Sequence, residues 1–205
     1  MKPNRLFCFL LAASISVAVH GQAKSAATPA PQATPQAGPT IAAIADNQVS
    51  IIEREFVSAA EAMPEDKYNF APTGLNIPGS DFKGVRSFAD QVKHVAATNY
   101  LLWGTVTGDK SPVEMKDDNG PASLKSKAEI VQYLKDSFVV GHKAAQTLTA
   151  ENSNSPFPNV FGGKNPMPRL FMVTFGVAHG FDHYGQMVEY LRMNGIIPPA
   201  SRGGN

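Results

Sequence analysis

The sequence predicts an all-α fold: a four-helix bundle with long connecting loops, preceded by a signal peptide and a disordered linker. Three observations carry that expectation. Four segments of about 20 residues repeat apolar side chains at helical spacing, no long stretch alternates with period two, and the segments between them concentrate Pro, Gly, Asn and Asp. Helices of that length span roughly 30 Å at about 1.5 Å per residue, which suits a bundle. A chain of 205 residues that is 43% hydrophobic holds one well-packed core.

The first element differs in character from the rest. Residues 1–23, MKPNRLFCFLLAASISVAVHGQA, carry Lys2 and Arg5, an apolar run from Leu6 to Val19, and small residues around Gly21 and Ala23. That pattern is a secretory signal peptide, and the apolar run is short for a membrane span. The expected destination is export, periplasmic or extracellular, with no stable membrane insertion after cleavage; a retained N-terminal anchor is the alternative. Cleavage would remove His20 and Cys8, the only cysteine, so neither a disulfide nor a thiol nucleophile would be available to the mature protein. Loss of Lys2 and Arg5 would leave 16 basic residues against 17 acidic ones, a formal charge of about −1. Basic residues are not clustered, so nucleic acid is not expected as a partner.

Residues 24–40, KSAATPAPQATPQAGPT, contain no aromatic and no long aliphatic residue, and too little apolar surface to offset the entropy of ordering them. The folded domain is therefore expected over residues 41–205. Its first helix should run from Ile41 to Met63, with Ile44, Val49, Ile52, Phe56 and Ala60 on one face and Pro64 as the stop. The second starts near Phe82 or Ser87 and reaches Thr107, carrying Phe88, Val92, Val95, Asn99 and Leu102. Ser123 or Ser126 caps the third, which carries Ile130, Leu134, Phe138 and Ala145 to about Thr149. The fourth opens after Pro168 and extends from Arg169 to Met193, where Gly195 and the Pro198-Pro199 pair end it. Segments 64–81, 108–122 and 150–168 are longer than simple hairpin loops, so at least one connection is expected to cross the bundle. Trp103, Met172, Phe175 and Met187 fit a core stripe, and Gly185 a close helix approach.

Chemistry concentrates in HGFDH at residues 179–183. His179 and His183 lie four apart on one helical face and can aim one ring nitrogen each at a common point. A third ligand makes an open site for a divalent transition metal, and His94 in the second helix is better placed than His142, whose surroundings suggest half exposure. The competing reading is a pair of core-edge histidines bonded to backbone carbonyls. Metalloprotease chemistry is excluded in its usual form, because that motif needs Glu after the first His and Gly180 stands there. Asp182 is a candidate to orient a ligand from behind, and Tyr184 to reach the pocket.

SFADQVKHVAATNYLLW at 87–103 and VAHGFDHYGQMVEYLRMNGIIPPASR at 177–202 resemble the two characteristic segments of the DinB-like family of damage-inducible proteins, and MPEDKYNFAPT at 63–73 is similar to the loop after its first helix. The resemblance spans residues 41–202. It implies a four-helix bundle with one metal-ligating His from helix two and two from the last helix, here His94, His179 and His183. It also implies, for some members, metal-dependent transfer of low-molecular-weight thiols. Many members carry Asp where Gly180 stands.

The function expected is that of an exported metal-binding protein, a transferase or hydrolase acting on a small-molecule substrate through an open three-histidine site that suits Zn, Ni, Cu or Fe. The alternative is a non-enzymatic, stress-related binding or scaffold module whose metal is structural or absent. A homodimer is compatible with the sequence.

Overall fold

The computed structural model describes residues 38–203 apart from residue 116. The expected signal peptide, and residues 24–37 of the expected linker, lie outside the described residues. Four long helices carry the fold: α1 (Ile41–Ala62), α2 (Phe88–Thr107), α3 (Lys127–Gln146) and α4 (Arg169–Met193). No helix among the described residues is long and apolar enough to cross a membrane.

The helix limits follow from local chemistry. Thr40 caps α1, accepting from the Ala43 amide. Of the two candidate starts for α2, Ser87 is the one used, its hydroxyl accepting from the Asp90 amide. Ser126 rather than Ser123 opens α3, because Glu129 three residues on closes a reciprocal capping box with it. That helix ends at Gln146, short of the expected Thr149; the Thr147 hydroxyl bonds back to the Ala144 carbonyl, and Thr149 is drawn into a turn with Asn152. Gly108 and Gly195 sit at φ 86° and 73°, where L side chains are strained, just beyond the ends of α2 and α4.

The bundle runs up, down, down, up. Lys127 at the start of α3 donates to the Glu61 and Met63 carbonyls at the end of α1, while His142 near its end meets Asp46 near the beginning, so α1 and α3 are antiparallel. Asn99 donates to Ser137 Oγ at 3.0 Å and Trp103 packs on Gly141, so α2 and α3 are parallel. Gln91 faces His183 and Trp103 faces Val173, which sets α4 antiparallel to α2. Around the bundle the order is α1, α3, α2, α4, with α1 opposite α2 and α3 opposite α4. Parallel neighbours need a return path, so the segment between α2 and α3 travels back along the bundle and carries Asp118 alongside His94. This is the long connection its length called for. The α3–α4 connection folds into a two-residue antiparallel pairing, β1 (Pro156–Phe157) with β2 (Met167–Pro168), the one strand pair among the described residues.

Val49, Ile52, Phe56 and Ala60 of α1 are fully buried, as are Phe88, Val92, Val95 and Leu102 of α2, with Ile130, Leu134, Phe138 and Ala145 of α3 virtually so. Ile44 is 49% exposed instead; it lies about 100° around the helix from Ala45, which takes the core position. Trp103, Met172 and Met187 are core, and Phe175 only partly so. The indole of Trp103 is wedged between two helices. A Cβ on Gly141 would stand 2.5 Å from its Cε3, and one on Gly176 2.5 Å from its Nε1, which donates to the Val173 carbonyl at 3.1 Å. Among the described residues, the glycines that permit close approach of one long helix to another are therefore 141, 176 and 180. Gly185 is exposed, with open space where its Cβ would be, so it has no packing role.

Candidate metal centre

Antiparallel packing of α2 on α4 brings residues 91 and 94 level with 183 and 179. His94 Nε2 lies 3.1 Å from His179 Nε2, which in turn lies 3.1 Å from His183 Nε2. These three residues are the group among the described residues whose ligand atoms, all within 4.8 Å of one another, could hold a metal ion. The ring centroids stand 4.5–5.0 Å apart.

The far side of each ring shows why the nitrogens point inward. His94 Nδ1 is bonded to the Asp118 carbonyl of the returning connection. Arg86 holds that turn, donating to Asp118 Oδ2 at 2.8 Å and to Asn119 Oδ1 at 2.9 Å. His183 Nδ1 meets Gln91 Oε1 at 2.5 Å, and the Gln91 amide donates onward to Gln186 Oε1 at 2.8 Å. A carbonyl or amide oxygen only accepts, so His94 and His183 carry their hydrogen on Nδ1 and a lone pair on Nε2. Both lone pairs face His179 Nε2, where one hydrogen can satisfy one of them at most. His179 Nδ1 is buried without a partner. Such a cluster of converging lone pairs fits a cation at its centre, and ligands at about 2.1 Å from a metal would stand roughly 3.4 Å apart, close to the 3.1 Å that separates His179 Nε2 from each of the other two.

Electrostatics favours neutral rings. Burial pushes the His179 imidazole down to about 3, helped by His183 and His94. Burial likewise takes His183 down to about 4, with His94 and Arg86 adding to it. His94 is lowered too, chiefly by burial. Neutral imidazoles are the ligating form.

The remaining expected residues fall elsewhere. Asp182 is exposed and touches none of the three rings; its Oδ2 accepts from Gln186 Nε2 at 3.4 Å, the outer end of the chain that runs through Gln91 to His183. Tyr184 follows His183 by about 100° around α4, so it turns to α1 and donates to Glu55 Oε2 at 3.1 Å rather than entering the pocket. His142 bridges Asp46 Oδ1 at 2.7 Å and Glu53 Oε2 at 3.0 Å, half-buried on the α1–α3 side and away from the three histidines. Gly180 has a packing reason: a Cβ there would stand 2.7 Å from Ile52 Cγ1, so an acid at this position would push α1 from α4.

The sequence pattern does not single out Gln91 or Asp118 for the site. Gln91 had a visible signal, since it lies one turn before His94 on the same face. Asp118 acts through its backbone carbonyl, which leaves no trace in residue type.

The four-helix architecture agrees with comparisons to known proteins. The DinB superfamily profile matches residues 48–187, which include all three histidines. No functionally curated protein matches the sequence. Among solved structures, a conserved protein from Enterococcus faecalis is 14% identical with a TM-score of 0.59, over 76% of this chain and 98% of that one. A DinB-like protein from Bacillus cereus is 18% identical with a TM-score of 0.56, over 78% of this chain and 94% of that one. At these identities the structures speak for the fold, and the profile match over more than half the sequence speaks for descent: the chain belongs to the DinB superfamily.

Proposed function

We propose that this is an exported DinB-superfamily protein that binds a divalent transition metal through His94, His179 and His183 and uses it for transfer or hydrolysis on a small molecule. The observation that carries the reading is the convergence of three Nε2 atoms whose Nδ1 partners, where present, are acceptors. Zn, Ni, Cu and Fe all suit three imidazoles. Bound there, the metal supplies a Lewis acid to an oxygen, nitrogen or sulfur donor of the substrate. The protein does the rest: the Asp118 carbonyl and Gln91 hold two rings in the ligating tautomer, and Phe175 lies against the His179 ring with centroids 6.3 Å apart.

A metal that merely cross-links α2 to α4 would ordinarily have four protein ligands. Among the described residues no fourth His, Cys, Asp or Glu joins the group, which favours an open site over a staple. Export rests on Lys2, Arg5 and the apolar run to Val19. It argues against cytosolic thiols as cosubstrates and for hydrolysis.

The test is metal stoichiometry on untagged protein. Wild type should retain a single ion, and His94→Ala, His179→Ala and His183→Ala should each lose it. Unchanged metal content in all three variants refutes the reading. Export is checked by N-terminal sequencing of protein recovered outside the cytosol, expected to begin near residue 24.

A further inference from the structure

Four of the exposed large apolar side chains gather beside the histidine cluster. Leu101 of α2, Met115 of the α2–α3 connection, Phe161 of the α3–α4 connection and Phe171 of α4 are 37–53% exposed and converge on one side of the bundle. Three of them, with Ala97, line a cavity of about 330 Å³ whose wall includes the His94 ring. Thr98, Asp117 and Asp118 are its polar lining among the described residues. Phe161 meets Phe175 edge to face at 5.6 Å, Phe171 stacks on Phe175 at 5.1 Å, and Phe175 lies over the His179 ring. Aromatic surface thus leads from solvent to the imidazole cluster.

Contiguous exposed apolar surface marks a site where something apolar binds. The volume restricts what fits: a dry apolar cavity of roughly 150 Å³ takes one benzene, so this one has room for one or two rings. We propose that the substrate of the metal centre is a compact apolar molecule of one or two rings, held by Leu101, Met115 and Phe161, that presents a single polar donor toward the three histidines. This deepens the metal-centre reading and rests on it for the identity of the site as a reaction site. Selection comes from burial of the ring body, since a polyhydroxylated molecule of the same size could pair hydroxyls with Thr98, Asp117 and Asp118 but would leave those facing Leu101, Met115 and Phe161 unpaired.

The experiment uses the full chain with 13C-methyl-labelled methionine, both zinc-loaded and metal-free. Benzyl alcohol, 2-naphthylmethanol and glycerol are the probes, and Met115→Leu assigns the reporter signal. The two aryl alcohols should shift the Met115 methyl saturably, and glycerol should bind at least about tenfold more weakly, the loss expected from leaving one ring's apolar area in water. Leu101→Asp and Phe161→Ala, both at exposed positions, should weaken the aryl alcohols by about tenfold each without releasing zinc. No saturable response to either aryl alcohol, or a response unchanged in both variants, overturns the proposal. Zinc retained without a Met115 response refutes the substrate class and spares the metal centre. A Met115 response in protein that binds none of zinc, nickel, copper or iron refutes the centre and leaves the apolar cavity as a binding site.

Discussion

Gly176→Ala should be strongly destabilising, although alanine is the better helix former. The added methyl would stand 2.5 Å from Trp103 Nε1 and 2.6 Å from Cε2, about 1 Å inside van der Waals contact. The indole cannot slide aside, because its opposite edge already meets the backbone of α3 at Gly141. Overpacking of this kind costs about 1–3 kcal/mol, and tipping the ring breaks its bond to the Val173 carbonyl, a further loss of about 1 kcal/mol. Gly→Ala in a helix returns about 1 kcal/mol, so the net is a loss of roughly 2 kcal/mol, or about 4–8 °C in Tm for a domain of this size. Gly185→Ala on the same helix is the control: open space surrounds its Cβ position, so only the propensity gain remains. Because Gly176 is one turn from His179, spreading α4 from α2 should also weaken metal binding. Thermal and urea unfolding of both variants decide it. A Gly176→Ala protein as stable as Gly185→Ala would refute the wedge.

Gln91→Leu removes the acceptor for His183 Nδ1–H and should lower metal affinity about 10- to 100-fold in a chelator competition, with His183 itself intact. In metal-free protein, His179 and His183 titrate near 3 and 4 when folded but near 6.5 when unfolded. The unfolded chain therefore takes up protons first, and stability should fall as pH drops below 6.5; His179→Gln with His183→Gln should flatten that limb of the unfolding profile. His142 has the opposite sign. Burial opposes its charge, but hydrogen bonds to Glu53 and Asp46 outweigh that and raise it above 6.5. Its contribution is fully present below pH 6.5 and lost as pH rises through the folded value, and His142→Ala should remove that alkaline decline in equilibrium unfolding.

Helix positions are legible in the sequence because burial of an apolar stripe must repeat at 3.6 residues, and Gly195 marks an end by chemistry confined to one turn, while Ser87 and Ser126 are each one of two candidate caps. The HxxxH pair was legible for the same reason: four residues along a helix is a fixed geometry. Ile44 and Gly185 face solvent against expectation because one step around a helix separates core from solvent, and local sequence does not say which side a neighbour occupies. The up-down-down-up order came only from tertiary packing. It is set by contacts between residues far apart in sequence, such as the Trp103 wedge and the Asn99–Ser137 bond. That order lays α2 against α4 so that His94 meets the pair, and returns the α2–α3 segment past His94 so that a backbone carbonyl orients its ring. Residue types can nominate three imidazoles, but their convergence is a distance between helices, and only the packed bundle sets it.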